Sequence, residues 1–98
     1  MVGSTTGTAS NAANIKGPYN TADTCVVKST PGVVYKLIVS GCVSNVLAGA
    51  VSLKDSVTTL ITLNAGHAGG CIPIEGTCNT NITITMGAAG DSVTVIYI

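Results

Sequence analysis

The 98-residue chain holds one imidazole, four thiols and four carboxylates, and these are the groups that could do chemistry. His67 sits in a glycine-rich stretch, Asn64-Ala65-Gly66-His67-Ala68-Gly69-Gly70. As a catalyst it would be the base for a Cys or Ser nucleophile; the simpler reading is a solvated loop histidine. The carboxylates are Asp23, Asp55, Glu75 and Asp91, and all but Glu75 stand beside turns or strand ends. There a short acidic side chain is expected to cap its own backbone. A glycosidase-type pair needs two acids facing across a cleft, and the spacing gives no hint of one. No G-x-S-x-G, H-E-x-x-H or P-loop pattern occurs. The expectation is a protein with no catalytic residues and no cofactor.

The thiols leave three readings open. Cys71 and Cys78 are seven apart, and Gly76 between them could let the chain double back into disulfide range, which makes them the candidate disulfide. His67 lies four residues before Cys71, but the usual C-x₂₋₄-C hook of a zinc site is missing, so no metal is expected. Cys25 and Cys42 fall at β-rich positions, where they read as small buried hydrophobes.

Composition excludes whole classes of partner. Charged residues make up 8% of the chain, with four Lys, no Arg and a formal net charge of zero. No basic patch exists to neutralise phosphates, so nucleic acid is not expected as a partner. Tyr19, Tyr35 and Tyr97 are the only aromatics, too few for a base-stacking platform. Apolar residues reach 46%, which argues against charge-driven disorder. The apolar runs are far shorter than the ~18 residues of a membrane helix, so no membrane partner is expected. Met1–Thr6 offers neither a basic nor an apolar leader region, so synthesis in a cytoplasm is expected. Eight charges must serve the entire surface, against a usual quarter of residues. A chain of this kind is expected to bury much of its outside against other chains, as a homo-oligomer or a subunit of a larger assembly.

The elements that would position these residues are short strands. Residues 1–23 begin with a Ser/Thr/Gly/Asn/Ala stretch without a period of 2 or 3.6, and are expected to form an extended N-terminal arm held by a neighbouring chain. Asn14, Ile15, Lys16 and Tyr19 are the candidate partner contacts, with Tyr19 after Gly17-Pro18 as the anchor. From residue 24 to 98 strands alternate with turns. Thr24–Lys28 is β-rich, and Pro31-Gly32 suits a type II turn that needs φ > 0 at Gly32. Val33–Ser40 follows, with Val33, Tyr35, Leu37 and Val39 on one face, and Tyr35 and Tyr97 as core or cross-strand residues. Ala50–Lys54 and Val57–Leu63 come next, around an Asp55-Ser56 turn. Pro73 makes Cys71–Ile74 an edge or irregular strand. Thr80–Met86 puts Ile82, Ile84 and Met86 inward, and Ser92–Ile98 closes the chain. Seven such strands predict an all-β fold, a small β-sandwich or jelly-roll-like domain over residues 24–98.

Three stretches together resemble a known family. Lys28-Ser29-Thr30-Pro31-Gly32-Val33-Val34-Tyr35-Lys36-Leu37-Ile38-Val39 resembles the V-K-x-x-P-G-x-L-Y-x-x-x-V opening of small structural proteins of tailed bacteriophages. Val51-Ser52-Leu53-Lys54-Asp55 is similar to their V-x-L-Y-D strand, with Lys54 where an aromatic is common. Gly87–Tyr97 resembles their closing G-T-G-A-D-V-T-V-x-Y hairpin. The four cysteines depart from the pattern. The resemblance implies a β-sandwich or jelly-roll component of the virion: a capsid decoration or cement protein that binds the major capsid protein across subunits, as a trimer or dimer at the capsid surface. A fibre- or tail-borne host-adhesion module is the alternative, with function in Asn64–Gly70 and Glu75–Asn79.

Overall fold

The computed structural model describes residues 14–98. Expectations that fall on residues 1–13 lie outside the described residues. Eight strands are present among the described residues, and no helix. In chain order they are β1 (Asn14–Tyr19), β2 (Thr24–Lys28), β3 (Gly32–Ser40), β4 (Val51–Asp55), β5 (Thr58–Leu63), β6 (Gly70–Cys78), β7 (Ile82–Met86) and β8 (Ser92–Tyr97). They form two four-stranded sheets, wholly antiparallel, in the orders β1-β8-β3-β6 and β2-β7-β4-β5.

One core joins the sheets. The first sheet contributes Val34, Leu37, Val39, Cys78, Val93 and Val95, and the second Val27, Val51, Leu53, Leu63, Ile82, Ile84 and Met86. The period of two that marks β4, β7 and β8 puts their β-branched and aliphatic residues on the inner face. Thr83, between two inward isoleucines, is nonetheless covered, and its hydroxyl donates to the Lys54 carbonyl at 3.2 Å.

β3 departs from the expected face. Val34 rather than Val33 and Tyr35 points inward, followed by Leu37 and Val39. The reason is a bulge: Val34 pairs with Tyr97 and Lys36 with Ile96, so Tyr35 is an extra residue that resets the alternation. Tyr35 is thus an outward residue, while Tyr97 packs against the core. β6 carries its own irregularity, where Ile74 and Glu75 oppose the single residue Tyr35 and Glu75 takes a φ of 55°. β6 is an edge strand as Pro73 required, but it runs on to Cys78.

Residues 14–19 belong to the first sheet instead of an arm. β1 pairs antiparallel with β8, from Asn14 opposite Tyr97 to Tyr19 opposite Val93. Among the described residues the first sheet thus already includes Asn14, ten residues before the expected start of the β domain. Gly32 does not take a left-handed φ; its missing side chain makes room for the carbonyl of Ile98. Val33 and Ile98 exchange two backbone hydrogen bonds there, 2.9 and 3.1 Å long, which extend the β3–β8 ladder to the C-terminal residue.

Candidate interface on the first sheet

The outer face of the first sheet follows from the register. Ile15 stands opposite Ile96, Ile96 opposite Lys36, and Lys36 opposite Pro73, giving one row across all four strands. Thr94, Ile38 and Cys71 form the next row. The intervening Val93, Val95 and Leu37 are fully buried on the other side. Ile15 is 70% exposed and Ile38 43%, so among the described residues large apolar side chains stand exposed on this face, beside Lys36 and Thr94. Beside it, the paired bulges at Tyr35 and Glu75 open a cleft of about 610 Å³ lined by Val33, Tyr35, Lys36, Cys71, Pro73 and Glu75. Its aromatic ring stands among one cation, one anion and a thiol.

Most of the remaining charge is tied down. Asp55 accepts backbone N–H bonds from Asn79, Thr80 and Asn81, and these hold its carboxyl below the ordinary carboxylate value. Asp91 is buried, which alone would raise its pKa. The N–H groups of Ala48, Gly49 and Cys42 outweigh that burial and bring the pKa below the usual value. Asp23 caps the N–H of Thr24 at 2.8 Å. The Lys16 ammonium donates to the carbonyl of Val27 at 3.3 Å, from the first sheet to the second, and that of Lys28 to the carbonyl of Ile98 at 3.4 Å. Five of the eight charged residues thus serve the chain's own backbone.

The four partner-contact candidates divide. Asn14 and Ile15 are exposed on β1. Lys16 bridges to the second sheet, and Tyr19 packs against the chain's own core, where burial and then the neighbouring Cys25 and Tyr97 raise its hydroxyl pKa. Tyr19 anchors β1 to its own domain.

Cys71 and Cys78 do not form a disulfide. Both are free thiols at opposite ends of β6. Seven residues of strand span ~23 Å at about 3.3 Å each, against the 4.4–6.8 Å between Cα atoms that a disulfide needs. Gly76 does not reverse the chain. The buried cysteine is Cys78, whose thiol is pushed up by burial and by the charge of Asp55; Cys42, expected inside, is exposed and Cys25 half-buried. His67 is exposed, and its Nδ1 lies 2.8 Å from the carbonyl oxygen of Ala68. Among the described residues no group of three or more His, Cys, Asp or Glu is placed to hold a metal ion.

The loop around His67 is braced from behind. Leu47 N–H donates to the His67 carbonyl at 2.9 Å, Gly66 N–H to Leu47 at 2.7 Å, and Gly69 N–H to Asn45 at 2.8 Å. Sequence reasoning missed the apolar face, because its rows are assembled from four strands distant in the chain. The one local signal was Ile38, out of phase with Leu37 and Val39 and still aliphatic. Comparison with family models, with curated proteins and with solved structures found no match for this chain.

Proposed function

We infer that this chain is a non-enzymatic structural subunit whose first-sheet face docks on another protein, as a capsid decoration or cement protein of a phage head. The observation that carries the reading is the outer face itself: Ile15, Ile38 and Tyr35 uncovered on a molecule whose charges are few and mostly tied to its own backbone. Contiguous apolar surface rimmed by polar groups marks protein interaction sites. The resemblance at residues 28–39, 51–55 and 87–97 supplies the setting, a virion reached after synthesis in the host cytoplasm. In that setting the two sheets are read as a β-sandwich of jelly-roll type, and the major capsid protein is the partner. Many copies on one shell would sum weak apolar contacts into firm reinforcement.

Co-sedimentation with capsids stripped of the protein tests this. Each isoleucine buried on docking contributes about 1.5–3 kcal/mol, so Ile15→Asp or Ile38→Asp should weaken binding at least ~10-fold. Undiminished co-sedimentation of both variants would refute the assignment. The cleft favours a second reading, a host-adhesion module on a fibre or tail, since Tyr35, Lys36 and Glu75 surround a space that small ligands could enter. In that case Tyr35→Ala and Glu75→Ala should reduce host attachment while particle stability stays unchanged.

A further inference from the structure

Among the described residues each sheet has two edge strands: β1 and β6 in the first, β2 and β5 in the second. Open edges invite pairing with another chain, and proteins block them with proline, charge or bulges. Three edges carry such blocks. β1 has Lys16 and Pro18, β2 ends in Lys28 after Asp23, and β6 has Pro73 and Glu75. β5, Thr58-Thr59-Leu60-Ile61-Thr62-Leu63, has no proline and no charge.

Its irregularity makes the edge self-complementary. Lys54 pairs with Thr59 and Leu53 with Ile61, so Leu60 is an extra residue in β5. Thr59 and Thr62 share the outer face with Lys54 and Ser52, whereas Ile61 and Leu63 lie opposite the buried Leu53 and Val51. The order of faces is therefore symmetric about the midpoint of Leu60 and Ile61. In a regular strand, an antiparallel two-fold between adjacent residues would set an inner side chain against an outer one, because alternation has period two. The extra residue removes that conflict. Thr59 then meets Thr62 of the second copy, Leu60 meets Ile61, and Thr58 meets Leu63. At the two central pairs hydroxyl faces hydroxyl and aliphatic faces aliphatic, Thr58 can turn its methyl group toward Leu63, and no charge opposes its like.

We propose that β5 pairs with β5 of a second copy in this register, joining the two second sheets into one eight-stranded sheet about a two-fold axis. Such an isologous contact closes at two subunits, and it is independent of what the first-sheet face binds. The experiment is native mass by light scattering at about 100 µM chain, where a weak contact of this size is populated. The wild type should give twice the 9.7 kDa of the chain. Thr59→Glu/Thr62→Glu places like charges opposite each other twice across the axis and should give the monomer mass, as should Thr59→Lys/Thr62→Lys. Mixing the two variants should restore the dimer mass, an outcome that damage to the fold cannot produce. A monomeric wild type, a trimer, or variants that remain dimeric alone would overturn the proposal. Should either variant fail to fold by circular dichroism, hydrogen exchange of the wild type decides. β5 amides protected at high concentration and exposed on dilution uphold the pairing, and concentration-independent exchange refutes it. Capsid co-sedimentation of the monomeric variants keeps this result separate from the docking role.

Discussion

Asp91 shows how one side chain can organise a distant segment. Its carboxylate receives Ala48 N–H at 2.9 and 3.1 Å and Gly49 N–H at 3.1 Å, more than forty residues back along the chain. That segment has little regular structure of its own, yet it carries the buried Leu47. Truncation would leave these part-buried donors without an acceptor. Asp91→Ala should therefore cost about 2–4 kcal/mol in urea unfolding, and a loss below ~1 kcal/mol would contradict the bracing role. Acid should act through the same bonds. Asp91 and Asp55 both titrate below their ordinary 3.8 when folded, so their stabilisation is fully present above that value and fades as pH falls through the lower folded-state pKa. A melting temperature flat above about pH 5 and falling steeply below 3.8 is expected, with a shallower fall in Asp55→Asn. Turn chemistry made both acids legible in the sequence as capping residues. Their partners were not, because Asp55 brackets the β6–β7 turn and Asp91 the 42–49 segment, neither adjacent in the chain.

The strands were legible wherever alternation and turn residues acted together. All seven expected from residue 24 onward are present, and the inward set Ile82, Ile84 and Met86 is buried. β1 was not legible, since Asn14-Ile15-Lys16-Gly17-Pro18-Tyr19 has glycine and proline inside it and only Ile15 and Tyr19 as strand formers. Its order comes from outside, from the β8 ladder and from Tyr19 on the core. The outward turn of Tyr35 was hidden for a related reason: a bulge is fixed by the partner strand's register, which alternation within β3 cannot report. Tertiary pairing also makes β1 an integral part of the fold. Compared with a chain starting at Asn14, one starting at Asn20 leaves β8 as an unpaired edge and uncovers core around Val93. That truncation should lower stability by about 2–4 kcal/mol, roughly the cost of removing one half-buried aromatic and its ladder. Equal melting temperatures for the two chains would mean that β1 is only laid against the sheet.

At the scale of the molecule, the question is what kind of force this surface can exert. The described residues form a body 18 Å across its shortest axis, so nearly every residue not in the single core faces outward on one sheet or the other. With net charge zero and only Lys36, Lys54 and Glu75 outside the backbone contacts traced above, long-range steering has little to act on. On the proposed reading, association comes from apolar contact at the first-sheet face and from strand pairing at β5. Those two forces respond to salt differently from ion pairs. Raising sodium chloride from about 50 mM to 0.5 M shortens the Debye length several-fold and would weaken a charge-driven complex by an order of magnitude or more. Docking through Ile15, Ile38 and Tyr35 should instead stay within about twofold, and sulfate, which strengthens apolar burial, should tighten it. A steep loss of binding across that range would move the contact to the cleft, where Lys36 and Glu75 are the charges close enough to act.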